Sequence, residues 1–447
     1  MHIPQKPPAT AECFEAWLKQ SANFNQMLAP PPGSGNADRY RHWDKIRFLE
    51  PPKGLSHKAW WGGIKLFRAG LAKPLPLKDV HGQPFTVGLP DLAQRRLHEF
   101  DCDAAGHILV SDNVATPEMR DRYVISSLME EAITSSQIEG AATTRLVAKE
   151  MLRTGRKPRN EDERMIANNY AAIRHIRTII NEPLTRDRVF ALHRLLTEGT
   201  LKDPSAVGRF RRPDEDVRIE DDEDTVLHRP PPATELDERM TAMCAFGNGD
   251  TPERFVHPVV RAIALHFWLA YDHPFVDGNG RCARALFYWC MLRNGYWLTE
   301  FISISSAIRK AHIKYGRAFL YVETDANDLT YFLLYHLELI RTAIDDLKSH
   351  LRRKMAETRD VEKLLRDNAN FNHRQIALLS HSLRHPDARY TIASHQRSHG
   401  VVYETARTDL LDLVSKSLFV SMKRGKTFEF RPVPRIAQLL KQAPQIT

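Results

Sequence analysis

Apolar residues recur at spacings of three and four along most of this chain, which predicts a mainly α-helical protein. One such segment carries Val259, Val260, Ile263, Phe267, Trp268 and Tyr271. We expect it to end before Pro274, because a proline disfavours helical geometry at the preceding residue, His273. A second helical segment follows through Ala283, Leu286, Phe287 and Cys290. The pattern therefore predicts two helices joined by a short loop.

That loop concentrates polar chemistry in the run His273-Pro274-Phe275-Val276-Asp277-Gly278-Asn279-Gly280-Arg281-Cys282-Ala283-Arg284. Gly278 and Gly280 permit a tight turn and close approach of a ligand to the backbone. The free N–H groups at the start of the second helix favour an anion. Arg281 and Arg284 are three apart and can fork onto phosphate oxygens. The segment predicts a phosphate-binding loop.

Two residues of the loop suit catalysis and metal binding. His273 is the candidate general base, because imidazole titrates near neutral pH and can take a proton from an attacking hydroxyl. Asp277 is the candidate Mg²⁺ ligand, since Mg²⁺ binds through one or two carboxylates together with substrate phosphates.

The remaining residues of the loop suit the phosphates of a nucleotide. Asn279 and the amides of Gly278 and Gly280 are expected to stabilise phosphate charge. Arg281 is expected to hold the α- and β-phosphates or the leaving pyrophosphate, and Arg284 the γ-phosphate.

The twelve-residue run resembles the signature of the Fic family, H-x-F-x-[D/E]-G-N-G-R-x-x-R, with every defined position filled. The resemblance implies a Mg²⁺-dependent transfer of AMP from ATP to a Ser, Thr or Tyr hydroxyl, on a target protein or on the chain itself. Transfer of another group, such as UMP, phosphate or phosphocholine, and removal of AMP remain open. A different class of function is a DNA-binding regulator whose core is inactive or only senses nucleotide.

A second motif, Ser135-Ser136-Gln137-Ile138-Glu139-Gly140, resembles the inhibitory helix of the family, [S/T]-x-x-x-E-[G/N]. A helix is predicted to end here, with Gly140 as its C-cap. The resemblance implies that Ser135, Glu139 and Gly140 form a brake, in which Glu139 pairs bidentately with Arg284 and blocks the γ-phosphate. The alternative is an exposed glutamate at a helix end.

Residues 208–232 read as a hairpin, with β-branched runs at 216–219 and 225–228 around an acidic turn. In the family such a hairpin covers the active site as a flap and binds the target segment by strand addition. Val217 and Ile219 are the candidate docking residues, and an ordinary surface hairpin is the alternative.

The segment from Tyr315 to Thr330 is similar to the one that seats adenine in the family. The resemblance makes Tyr315 a candidate nucleotide contact. Gly316 departs from the paired aromatic residues that the family often has here.

The net charge of +9 is concentrated at one end of the chain. Residues 351–447 contain 18 Lys and Arg against 9 Asp and Glu. Helical patterns start near 371, 390 and 402, and a hairpin spans 418–430 with basic residues 423–426 at its turn, as in a winged helix. DNA binding and protein contacts are both open for this unit, because a fold does not fix a function.

A long helix is predicted where Leu333, Leu337, Ile340, Ile344, Leu347 and Leu351 alternate four and three apart. It packs either on its own domain or in a homodimer. The five scattered cysteines favour a cytoplasmic protein, and no apolar run has membrane-spanning length. Residues 30–35 predict a loop.

The predicted organisation is an N-terminal helical extension (1–115), a Fic core (116–345) and a winged helix (351–447). The core contains the inhibitory helix (121–140), the flap (208–232) and the signature loop (273–284).

Overall fold

The computed structural model describes residues 2–20, 40–104, 117–221, 223–251, 254–366, 371–424 and 427–442. The predicted loop at 30–35, the predicted boundary at 115 and the turn residues 425–426 lie outside the described residues. The described residues are mainly α-helical with three small sheets, which confirms the prediction of a mainly α-helical fold. Within the described part, no helix combines the length and the hydropathy needed to cross a membrane.

The chain forms two compact units, Met1–Ile108 with Val124–Ile344, and Leu109–Tyr123 with Asp345–Thr447. The helices that lie in or begin in the first unit are α1 (Thr10–Gln20), α2 (Trp43–Ile46), α3 (His57–Leu71), α4 (Asp91–Ala104), α6 (Arg145–Thr154), α7 (Glu161–Thr178), α8 (Arg186–Thr197), α9 (Leu236–Asn248), α10 (Pro258–Asp272), α11 (Asn279–Arg293), α12 (Ile304–Lys310), α13 (His312–Thr324) and α14 (Thr330–Arg366). Helix α5 (Pro117–Ile138) spans the division between the units at 123/124. Two antiparallel hairpins complete the first unit, β1 (Lys73–Lys78) with β2 (Pro84–Val87) and β3 (Ile219–Glu220) with β4 (Val226–His228).

Helices α10 and α11 are the buried pair predicted from the apolar pattern. Helix α10 begins at Pro258, where the His257 ring accepts a hydrogen bond from the Val259 amide at 3.3 Å. It ends at Asp272, and His273 adopts a left-handed conformation with φ 45°. Gly278, with φ 86°, precedes the first residue of α11. All ten apolar positions of the two predicted segments are buried, so the signature loop is held at one end of a rigid pair.

Helix α5 is fixed through a buried carboxylate. Glu131 accepts hydrogen bonds from the Ser303 hydroxyl at 2.7 Å and from the Ser305 amide at 3.0 Å, at the start of α12. The Asn169 side chain of α7 donates to the Ala132 carbonyl of α5 at 3.3 Å. These contacts set the position of the C-terminal end of α5.

The N-terminal extension packs on the segment just before α14. The Thr86 amide of β2 donates to the Asn327 carbonyl at 3.0 Å, and the Leu329 amide donates to the Thr86 carbonyl at 2.8 Å. The Tyr40 hydroxyl donates to the buried Asp328 carboxylate at 2.6 Å. The extension and the core therefore share one compact unit, and the predicted domain bounds stay a prediction.

Charged groups are buried together in this contact. Arg68 donates to the Tyr331 hydroxyl at 2.6 Å, and Tyr331 donates to Asp325 at 2.8 Å. Lys65 forms an ion pair with the same Asp325 at 2.9 Å. Buried charges need such partners, because an unpaired one carries a large desolvation cost.

The N-terminal part of α14 packs within its own unit. Leu333, Leu337, Ile340 and Ile344 are all buried. Their burial favours the interpretation of an amphipathic helix packed on its own domain, and a homodimer seam stays a prediction.

The C-terminal part of the second unit follows helix α14 along the chain. It contains α15 (His373–Arg384), β5 (Tyr390–Thr391), α16 (Ile392–His399), α17 (Tyr403–Ser415), β6 (Phe419–Arg424), β7 (Thr427–Pro432) and α18 (Ile436–Gln442). Its sheet has the order β5-β7-β6, and its core includes Leu379, Leu410, Leu413 and Phe419. The helices and the hairpin lie near the predicted positions. The winged-helix assignment and a DNA partner stay predictions.

The substitution Tyr40→Phe tests the docking of the extension. It leaves a buried oxygen of Asp328 without its donor, so we expect the free energy of unfolding of the first unit to fall by about 1–3 kcal/mol. All 7 tryptophans belong to this unit, so their fluorescence during urea unfolding follows it selectively. Tyr403→Phe is the matched control, because Tyr403 is exposed in the other unit. Equal unfolding curves for both variants would contradict the docking role.

Candidate active site

The Asn279 side chain closes the signature loop through hydrogen bonds to the backbone of Phe275. The Asn279 side chain accepts a hydrogen bond from the Phe275 amide at 2.9 Å and donates to the Phe275 carbonyl at 2.8 Å. Each polar group of this buried side chain thus makes a hydrogen bond to the loop backbone. In this structure Asn279 braces the loop, and a contact between Asn279 and phosphate stays a prediction.

His193 of α8 packs against the signature loop and forms a hydrogen bond to it. Its ring stacks on Phe275 with centroids 3.9 Å apart. Its Nδ1 accepts from the Gly208 amide at 2.9 Å, and its Nε2 donates to the Asp277 carbonyl at 3.0 Å. Burial lowers the pKa of His193 to about 4, so the ring is neutral, with one donor and one acceptor as these partners require. His193 thus joins the loop to the start of the flap.

His273 is held as a neutral base. Its Nδ1 lies 3.2 Å from the Ala270 carbonyl, which can only accept, so this nitrogen carries the proton. Burial lowers the pKa of His273 to about 4, with the charge of His228 acting in the same direction. Nε2 therefore has a free lone pair at neutral pH, which is the form that a general base requires.

Arg211 fixes the backbone around His273. Its amide donates to the Pro274 carbonyl at 2.9 Å, and its Nε donates to the His273 carbonyl at 2.9 Å. The same guanidinium also donates to the Pro231 carbonyl at the far end of the flap. One buried side chain thus connects both ends of the flap to the catalytic loop.

The flap is a short hairpin with irregular register. Ile219 pairs with His228, and Glu220 pairs with Val226. At the turn, the Asp221 side chain accepts from the Thr225 amide at 3.0 Å. Ile219 lies in β3 as predicted, whereas Val217 lies just before it and is not part of the strand. Target docking by Val217 and Ile219 stays a prediction.

His228, in the last position of β4, faces two acceptors. Its Nδ1 lies 2.7 Å from the Glu323 carboxylate and its Nε2 lies 2.8 Å from the Tyr271 carbonyl. Only the imidazolium can donate to both. Burial lowers the pKa of His228, but Glu323 outweighs burial and the net shift is upward. A protonated histidine therefore fastens the flap to α10 and α13.

Arg281 is buried rather than presented to a ligand. It donates to the Leu196 carbonyl at 3.1 Å and to the Asp277 carboxylate at 3.0 Å. Its side chain is 0% exposed, while that of Asp277 is 48% exposed. A contact between Arg281 and phosphate stays a prediction, and in this conformation the guanidinium fixes Asp277.

Asp277 could serve as the protein ligand of a Mg²⁺ ion that substrate phosphates also bind. Its half-exposed carboxylate offers one acidic ligand. No cluster of three or more His, Cys, Asp or Glu side chains that could hold a metal occurs among the described residues. One carboxylate suits Mg²⁺ only when substrate phosphates and water complete its octahedron.

Arg284 and Glu139 meet at the start of α11. Arg284 Nη2 donates to Glu139 Oε1 at 2.8 Å and to the Ser135 carbonyl at 3.1 Å, and its Nε donates to the Ser135 hydroxyl at 2.9 Å. The expected bidentate pair between Glu139 and Arg284 is therefore not formed. Glu139 accepts one hydrogen bond from Arg284, and Ser135 accepts the other two. Burial alone would lower the pKa of Arg284, but Glu139 outweighs burial and raises it.

The Glu139 carboxylate lies against the backbone of Gly280. A methyl group built on Gly280 would collide with Glu139 Oε1, so only glycine permits this approach. Free amides at the start of a helix attract anions. Gly140, with φ 100°, ends the motif in a left-handed turn. The Glu139 carboxylate thus lies at the start of α11, and its role as a brake stays a prediction.

Tyr315 lies close to Arg284. Its hydroxyl is 2.8 Å from Nε2 of the buried His266, and its ring packs edge-on against Phe319 at 5.1 Å. The structure therefore places the Tyr315 hydroxyl in a polar contact with His266. An adenine contact by Tyr315 stays a prediction.

Three further residues of this site were not predicted from the sequence: His193, Arg211 and His228. Each acts through carbonyl groups of the loop or of α10, and such contacts leave no spacing pattern. Arg211 and His228 lie inside the predicted flap, at 208–232, which was the available signal for those two residues.

Residues 183–291 match the Fic/DOC family. Protein adenylyltransferase Fic of Nematostella vectensis is 33% identical over 116 residues, which cover 26% of this chain and 25% of that protein. The protein of the same name from Aedes aegypti is 26% identical over 209 residues, which cover 46% of this chain and 40% of that protein. The matches therefore span between a quarter and two fifths of the length of these curated relatives.

Two solved structures resemble this chain at low sequence identity. A Fic family protein from Desulfovibrio desulfuricans G20 has a TM-score of 0.48 and 19% identity, covering 76% of this chain and 95% of that chain. A variant of Fic-1 from C. elegans has a TM-score of 0.49 and 16% identity, covering 79% of this chain and 99% of that chain.

The charge of His228 gives a pH-dependent contribution to stability. Its pKa is raised in the folded protein, so its contribution is complete below its unfolded pKa near 6.5 and is lost as pH rises through the folded value. We expect the unfolding free energies of the first unit in wild type and His228→Gln to converge as pH rises from 6 to 9.

Tryptophan fluorescence during urea unfolding measures this difference at each pH. Glu323→Gln should reduce stability in the same pH-dependent way, because it removes the partner carboxylate. His312→Gln is the control, since His312 is exposed. A constant gap between wild type and His228→Gln over this range would show that His228 is not protonated.

Proposed function

Because the chain belongs to the Fic family through its domain at residues 183–291, we propose that it transfers AMP from ATP to a protein hydroxyl and that Glu139 restrains the reaction. The observation that carries the proposal is the Glu139 carboxylate on Arg284 at 2.8 Å, at the glycine-lined start of α11. An anion site at a helix start beside a neutral histidine suits phosphoryl chemistry.

The proposed reaction is an in-line substitution at the α-phosphorus of ATP. The oxygen of a Ser, Thr or Tyr side chain forms a bond to that phosphorus, and the bond to the bridging oxygen of the β-phosphate breaks. Pyrophosphate leaves with the electron pair. The hydroxyl proton passes to Nε2 of His273, which the Ala270 contact keeps unprotonated.

The other loop residues would position the nucleotide. Asp277 would hold Mg²⁺, which neutralises phosphate charge when bound. The amides of Gly278 and Gly280 and the guanidinium of Arg284 would bind phosphate oxygens. Asn279, His193 and Arg211 contribute by holding the loop in shape, because their polar atoms are bonded to its backbone.

Restraint by Glu139 follows from competition for one position. A γ-phosphate at Arg284 requires the carboxylate to leave, since two anions cannot share one guanidinium face at close range. ATP that binds with Glu139 in place would have its phosphates displaced from in-line geometry, and misplacement of this kind lowers rates strongly.

Intact-mass analysis after incubation with ATP and Mg²⁺ tests the proposal. We expect Glu139→Gly protein to gain the mass of AMP at least about tenfold faster than wild type, because one charge-assisted hydrogen bond contributes roughly 1.5–3 kcal/mol. The double variant Glu139→Gly/His273→Ala should lose this gain by about 10²–10⁴-fold, the usual effect of a general base.

Glu130→Gly is the matched control, since Glu130 lies on α5, the helix that Glu139 directly follows, but pairs with Arg145. It should behave as wild type. A gain of a different mass with another nucleotide would replace AMP as the transferred group. If Glu139→Gly stays unmodified and folded with every nucleotide, and with added protein substrates, the proposed transferase activity is wrong.

A further inference from the structure

A cavity of about 220 Å³ lies at the other end of the central helix pair. Its lining includes Pro258, at the start of α10, and Arg293 with Asn294, at the end of α11. Helix α10 has 15 residues, so this end lies roughly 22 Å along the helix from the catalytic loop. The cavity is therefore separate from the candidate active site.

Three arginines line this cavity: Arg254, Arg261 and Arg293. No acidic residue is found among its lining residues, within the part of the chain that the structure describes. The guanidinium groups instead donate to neutral oxygens. Arg293 donates to the carbonyls of Ile180 at 3.2 Å and Glu182 at 2.9 Å, and Arg254 donates to the Pro74 carbonyl.

Arg261 is the buried member of the set, with 8% of its surface exposed. It donates to the Phe246 carbonyl and, at 3.3 Å, to the Thr251 hydroxyl. Burial lowers the pKa of Arg261 and outweighs the nearby charge of Asp250, which acts in the opposite direction. The two hydrogen-bond partners of Arg261 named above are neutral, so a bound anion would supply a counter-charge in direct contact.

We propose that this cavity binds a small phosphate-class oxyanion. Three guanidinium groups present several N–H donors in planar forks that match phosphate oxygens. The first turn of α10 adds the positive end of a helix dipole. A volume of about 220 Å³ lies below the usual range for drug-sized ligands, roughly 300–1,000 Å³, so a free phosphate or a single phosphoryl group fits better than a nucleotide.

Calorimetric titration of the full chain with inorganic phosphate tests this site, with sodium chloride at matched ionic strength as the blank. We expect the double variant Arg254→Gln/Arg293→Gln to weaken the Kd at least tenfold. Arg145→Gln/Arg407→Gln removes the same charge from exposed positions and should leave the Kd unchanged. Arg284→Gln should also retain binding, which separates this cavity from the proposed active site.

Phosphoserine in a second titration identifies the source of the anion. Binding of phosphoserine as tightly as phosphate would point to a phosphorylated side chain, and binding of phosphate alone would point to the free ion. The proposal is overturned if wild type shows no binding above the chloride blank. It is also overturned if the exposed-arginine control loses as much affinity as the cavity variant, or if Arg284→Gln alone abolishes binding.

Discussion

The pairing of Arg284 with Glu139 is the interaction on which the candidate site depends. It joins the end of α5 to the start of α11, and it satisfies a buried guanidinium that would otherwise lack a counter-charge. The carboxylate reaches this position only because Gly280 has no side chain. Stability and the proposed restraint would therefore share one contact, since any anion that replaces Glu139 must bind Arg284 well enough to compensate for its loss.

The rest of the site consists of backbone held by buried polar side chains. Asn279 closes the loop, His193 supports it from α8, and Arg211 ties it to both ends of the flap. His228 fastens the flap to α10 as an imidazolium, while His273 at the end of α10 stays neutral. The two histidines thus differ in charge, because His228 faces the Glu323 carboxylate whereas burial lowers the pKa of His273.

The sequence predicted the helix pair, the loop between them and the meeting of Glu139 with Arg284, because periodicity and a dense motif carry that information. It did not predict the use of Asn279 and Arg281 as braces. A motif fixes residue types but not their hydrogen bonds. Asn279 bonds to the backbone of Phe275 within the loop, and Arg281 bonds to the Leu196 carbonyl, which is distant in sequence. The packing of the N-terminal extension on Asp328 was missed for the same reason.

The most direct test of the central claim is to compare the Kd values of ATP and AMP for wild type and Glu139→Gly by calorimetry in the presence of Mg²⁺. We expect the substitution to tighten ATP binding at least about tenfold, as loss of a competing charge-assisted contact would. AMP has no γ-phosphate, so its Kd should not change. Equal changes for both nucleotides, or no change for either, would contradict the claim that Glu139 occupies the γ-phosphate position.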